Sequence, residues 1–121
     1  MSPVAQHEFS RIPLLSGLPG ERLAQLAPRM RRETILPGKT VVREGDDGER
    51  FYVVLSGVLE VSQAERGKRT ILRPGEYFGE VALAMHMPRT ASVRAVTPAT
   101  VASCDSATFD EYVRPLFAED T

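Results

Sequence analysis

Between Arg32 and Asp105 the chain is cut into short pieces by turn signals at Pro37-Gly38, Gly45 to Gly48, Gly57, Gly67 and Pro74-Gly75. Proline fixes one backbone angle and removes a donor, while glycine enters conformations closed to other residues, so each signal marks a place where a strand can reverse. Within the pieces the apolar residues follow a period of two. Phe51, Val53 and Leu55 point one way and Tyr52 and Val54 the other, which predicts a strand covered on both faces. Ala91, Val93 and Ala95 alternate with Ser92, Arg94 and Val96 as a further strand, and the sheet is expected to end by Asp105. Short strands at this rhythm predict a mainly β fold, a jelly-roll β-barrel with flanking helices.

The flanks read differently. Leu23, Leu26, Ala27 and Met30 fall at helical spacing after Pro19-Gly20, predicting a short amphipathic helix from about Glu21 that is disturbed at Pro28. Phe9, Ile12, Leu14 and Leu15 supply apolar anchors ahead of it, and the basic run Arg29, Met30, Arg31, Arg32 reads as a solvated helix end. At the other end Ser106 is expected to cap a short helix carrying Phe109, Tyr112 and Val113 on one face until Pro115 stops it. The expected layout is one domain over residues 1–121: a helical segment at about 9–31, the barrel at 32–105, and a short helix and tail at 106–121.

Composition narrows the function classes. With 15 basic and 16 acidic residues and a formal net charge of -1, no overall field recruits nucleic acid or an anionic membrane surface. The single cysteine, Cys104, sits in the apolar run Val101-Ala102-Ser103 and suits a buried strand position, and no Cys or His spacing suggests a metal site. His86 reads as an exposed loop residue and His7 as part of a mobile terminus. No apolar run is long enough to span a bilayer, which predicts a cytoplasmic protein or the cytoplasmic domain of a membrane protein.

The segment Phe78 to Val93 carries the chemistry. Pro74-Gly75 turns the chain toward Gly79, where the backbone can approach a ligand closely, and Val81-Ala82-Leu83-Ala84 can form one helical turn. The first amides of such a turn lack helical partners and suit an anion. Ten residues after Gly79 comes Arg89, whose planar guanidinium can hold two phosphate oxygens. Glu80 only accepts hydrogen bonds when ionised, so its natural partner is a hydroxyl. A ligand with a ribose hydroxyl on one side and one phosphodiester charge on the other satisfies both groups.

Phe78-Gly79-Glu80-Val81-Ala82-Leu83, five further residues, then Arg89-Thr90-Ala91 resembles the phosphate-binding cassette of cyclic nucleotide-binding domains, residues 78–91 here. Pro37 to Asp46 and Phe51 to Val61 are similar to the first strands of the same domain, and the resemblance runs from about Phe9 to about Val113. It implies that Glu80 holds the ribose 2'-hydroxyl and Arg89 the cyclic phosphate. Gly79 permits close approach, Val81, Ala82 and Ala91 offer backbone amides, and Phe78, Leu72, Val54 and Leu83 are expected around the apolar side near ribose or base. Thr90 is compatible with guanine without excluding adenine, so cyclic AMP, the commoner ligand of the fold, is favoured and cyclic GMP comes second.

The resemblance implies binding without catalysis, no cofactor beyond the nucleotide, and an effector domain or protein outside this chain. In the family a longer helix follows and folds over the base; with only Leu116 to Thr121 after Pro115, that lid is expected to be absent or truncated. Two rival readings are a barrel that serves as an interaction domain and binds no nucleotide, and part of a catabolite-activator-type transcription regulator without its helix-turn-helix.

Overall fold

The computed structural model describes residues 6–9, 12–64 and 67–118. Helices come first: α1 (Gln6–Phe9), a 3-10 turn (Leu15–Gly17), α2 (Gly20–Leu26) and a second 3-10 turn (Ala27–Arg29). Pro28 has no amide with which to extend α2, and the chain tightens before turning extended at Met30. His7, expected in a mobile terminus, has its backbone in α1. The basic run is a solvated helix end only at Arg29, which ends the second 3-10 turn exposed: Met30 is 3% exposed, and Arg31 and Arg32 open the first strand. The helical spacing that aligns Met30 with Leu26 and Ala27 drives it into the core before the charged residues begin.

Among the described residues eight strands follow: β1 (Arg31–Ile35), β2 (Thr40–Val42), β3 (Arg50–Ser56), β4 (Leu59–Gln63), β5 (Lys68–Leu72), β6 (Tyr77–Phe78), β7 (Ser92–Ala95) and β8 (Ala99–Asp105), with α3 (Glu80–Met85) between β6 and β7. They form two antiparallel sheets, ordered β1-β8-β3-β6 and β2-β7-β4-β5. The first strand pairs with the last, the second with the seventh, the third with the sixth and the fourth with the fifth, as in one long hairpin rolled over itself. This is a jelly roll. Strand β3 is buried on both sides: Phe51 and Val53 join a cluster beneath the helices, and Tyr52 and Val54 join the cluster between the sheets. Cys104 is buried in β8, where desolvation pushes its thiol up to about 12.

The C-terminal region departs from expectation twice. Asp105, not Ser106, is the cap, its carboxylate accepting from the Thr108 amide at 2.9 Å before α4 (Ser106–Thr108). Pro115 does not stop the helix either: a π-helical segment (Phe109–Val113) leads into α5 (Arg114–Ala118). In a regular α-helix the residue at 115 would donate to the carbonyl of Glu111, and proline has nothing to donate. Here Arg22 of α2 donates to that carbonyl at 2.9 Å, so the acceptor is satisfied from outside the helix. Phe109, Tyr112 and Val113 are buried as their spacing predicts, and Phe117 of α5 meets Tyr77 with ring centroids 5.5 Å apart.

Candidate functional site

A cavity of about 180 Å³ opens between the inner face of the β2-β7-β4-β5 sheet and the turn joining β6 to α3. Gly79 makes that turn. Its φ of +95° is open to glycine, and a Cβ there would lie 2.7 Å from Nη1 of Arg89 and 2.9 Å from the Arg50 carbonyl oxygen. Both the angle and the space require the missing side chain. Glu80 follows as the first residue of α3, half-buried on the cavity wall and close enough to Tyr77 to help hold that phenol's pKa up, although burial is the larger cause.

Arg89 is 7% exposed and tied down along its length. Its amide donates to Asp46 at 2.8 Å, its carbonyl accepts from Gly45 at 2.9 Å, and its Nη2 donates to the Arg50 carbonyl at 2.9 Å. Tyr52 lies beneath the guanidinium at 5.8 Å and is itself stacked on Phe78, with centroids 4.7 Å apart and planes 4° from parallel. Nη1 is buried without a hydrogen-bond partner among the described residues, and desolvation lowers the guanidinium's pKa from its ordinary value. An arginine stays charged in such a place, so the site holds a buried cation with a donor to spare.

Of the expected site residues, Leu72, Phe78, Gly79, Glu80, Val81, Ala82, Arg89, Thr90 and Ala91 all line this cavity. Val54 and Leu83 do not. Val54 is 0% exposed in the cluster between the sheets, and Leu83 faces the helices on the far side of α3. Leu83 follows the buried Ala82 by one helical step of about 100°, enough to carry it off the cavity face. The sequence reading missed Val42, Val61, Tyr77 and Val93, which complete the lining. Val42 and Val61 each pair with Val93, so the three form one rung across β2, β7 and β4. Alternation marks each as facing one side, but only the register brings them together.

The far end of α3 is also fixed. His86 is exposed with φ 52°, closing the helix in the left-handed conformation, and Arg114 donates to the carbonyls of Leu83 and Ala84 at 3.3 and 3.4 Å. Among the described residues no cluster of three His, Cys, Asp or Glu could hold a metal ion. The cavity lining comes from residues between Val42 and Val93, so α5, which rests against Tyr77, does not line it.

The strand order and the position of the cavity define a jelly-roll domain with a charged recess at its strand-to-helix turn. The model of the cyclic nucleotide-binding domain family matches residues 32–115, and the chain belongs to that family. It is 36% identical over 104 residues to a cAMP-dependent protein kinase regulatory subunit of Debaryomyces hansenii, covering 86% of this chain and 23% of that one. A structure of cAMP-bound PfPKA-R is 23% identical with a TM-score of 0.88, covering 94% of this chain and 40% of that one. The regulatory subunit of a cAMP-independent protein kinase A from Trypanosoma cruzi, bound to guanosine, is 25% identical with a TM-score of 0.84, covering 93% and 42%. The chain spans about a quarter of the length of the curated relatives it matches.

Proposed function

We propose that this chain is a single regulatory domain, spanning residues 1–121, that binds a 3',5'-cyclic nucleotide and catalyses no reaction. The observation that carries the reading is the unpartnered Nη1 of Arg89, a buried cationic donor on the wall of a small cavity. A buried donor left unpaired costs about 1–3 kcal/mol, which a phosphate oxygen placed there would recover. The first-turn residues of α3 line the same cavity, and their amides add further donors. Glu80 accepts from the ribose 2'-hydroxyl, and Leu72, Phe78 and the Val42-Val93-Val61 rung pack the apolar face of the ligand. Relatives include a cAMP-bound and a guanosine-bound protein, so family membership alone leaves the ligand open; the unspent cationic donor favours one with a phosphate. Cyclic AMP is the favoured ligand and cyclic GMP the second.

Closure of the cassette around the ligand is passed through Arg114 and α5 to an effector domain or partner, in the cytoplasm. Among the described residues no helix is long and apolar enough to cross a membrane. The relatives' names point to a protein kinase as one such partner. Calorimetric titration tests the reading. Cyclic AMP or cyclic GMP should bind saturably at one site, with guanosine and linear AMP much weaker. Absence of heat and of any thermal shift with millimolar cyclic nucleotide would leave the interaction-domain reading; guanosine binding as tightly as the cyclic nucleotides would mean that Arg89 does not hold a phosphate.

A further inference from the structure

The loop between β2 and β3 contains two glycines that serve different ends. Gly45 has φ +89° and nothing within 4 Å of where a Cβ would stand, so its role is conformational. Gly48 is outside the left-handed region, yet a Cβ on it would lie 2.3 Å from Cβ of Ala82 and 3.4 Å from Cζ and Nε of Arg89. Real Cβ contacts essentially never fall under 3.0 Å. Gly48 is therefore needed for space, at a point where the loop presses on the first turn of α3 and on the flank of the guanidinium.

Gly79 stands against Nη1, where a Cβ would lie 2.7 Å away. The guanidinium thus runs past two positions where a side chain is missing, with the Tyr52 ring as a third boundary. The same loop holds the Arg89 main chain through Gly45 and Asp46, and the Arg50 carbonyl at its end holds Nη2. An arginine free in solution samples many rotamers, and ordering it at the moment of binding subtracts from affinity. Seated in this slot it is ordered before any ligand arrives.

We propose that Gly48 is a positioning residue for phosphate recognition: it lets the 43–49 loop seat against Ala82 and Arg89, and that seating aims Nη1 at the cavity. Gly48 does not itself line the cavity. The inference rests on the assignment of Arg89 as the phosphate group's partner, and its test separates the two.

Gly48→Ala drives a methyl into the space of the Ala82 side chain, so the loop and α3 must separate. Cyclic AMP affinity should fall by about tenfold or more, equivalent to roughly 1.4 kcal/mol. Ala82→Gly removes the obstructing methyl, so the double variant Gly48→Ala/Ala82→Gly should bind within about threefold of Ala82→Gly alone, a difference of roughly 0.65 kcal/mol. Gly45→Ala, whose cost is backbone strain, should gain nothing from the same partner change. The Arg89 Nε–H resonance, identified by its loss in Arg89→Lys, reads the slot directly in the ligand-free protein: it should shift and exchange faster in Gly48→Ala and return in the double variant. Should Gly48→Ala fail to fold, the double variant and its Nε–H signal carry the test. Wild-type affinity in Gly48→Ala, or a double variant as weak as the single one, overturns the proposal. If the wild-type protein binds no cyclic nucleotide, the ligand assignment fails, and the Nε–H signal alone decides the positioning role: an unchanged resonance in Gly48→Ala overturns it.

Discussion

Strand β3 separates two interiors of different construction. On the side of Phe51 and Val53, helices close a cluster in which Phe9, Leu15, Leu26, Phe109 and Val113 are all 0% exposed, with Phe51 and Phe109 rings 5.3 Å apart. On the side of Tyr52 and Val54 the cluster is mostly Ile, Leu, Val and Ala, and it gives way to a cavity and a buried arginine. The first interior is filled and neutral; the second is left open around a charge. Stability and recognition are thereby assigned to opposite faces of one strand, and each can be damaged separately.

The largest effect should come from the filled side. Phe109→Ala should cost about 3–5 kcal/mol of stability by leaving a void among close-packed rings, measured by chemical denaturation, while the affinity of the folded fraction for cyclic AMP stays within about twofold, roughly 0.4 kcal/mol. A large affinity loss at fixed folding would break the separation. On the open side, Arg89→Met should cost about 1.5–3 kcal/mol of affinity. Its ligand-free melting temperature should hold or rise, because replacing a buried charge by an apolar chain of similar size is often neutral or stabilising. A clear fall would mean that the bond to the Arg50 carbonyl is what Arg89 chiefly serves.

Asp105→Ala should cost about 0.5–2 kcal/mol by removing the cap beneath the filled cluster. Hydrogen bonds from the Thr108 backbone and side chain lower the carboxyl's folded-state pKa below its ordinary 3.8. The cap's contribution should therefore be complete well above pH 3.8 and be lost as the pH falls through the depressed folded value. Denaturation of wild type and variant from pH 7 down to pH 3 checks the sign: a difference that grows on acidification contradicts it. The smallest effect concerns base choice. Thr90→Ala should weaken cyclic GMP by about 0.5–1.5 kcal/mol more than cyclic AMP, one net hydrogen bond; equal losses by calorimetry would mean that the hydroxyl reaches only phosphate.

The sequence made the barrel legible because turn chemistry and alternation are local, and β3 shows it: the faces assigned to Phe51 and Tyr52 are the faces they occupy. The cassette was legible because its spacing is short. What failed depended on distant partners. Pro115 is tolerated within the helical run because Arg22, far away in sequence, supplies the missing donor. The Val42-Val93-Val61 rung depends on strand register, and the depth at which Arg89 lies depends on a loop some forty residues before it. Capping by Asp105 instead of Ser106 turns on one residue of phase, which propensity does not resolve.

The pairing of first strand with last sets the order in which the protein can be made. From Ile35 to its partner Ala99 a ribosome adds on the order of sixty residues, which at roughly 5–20 residues per second takes about 3 to 13 seconds. For that interval β1 has no β8 to pair with, and an unpaired strand is an invitation to neighbouring nascent chains. Arg31, Arg32, Glu33 and Thr34 make four of its five residues charged or polar, with Ile35 the one buried apolar side chain. The strand that waits longest for its partner is thus among the least able to aggregate while it waits.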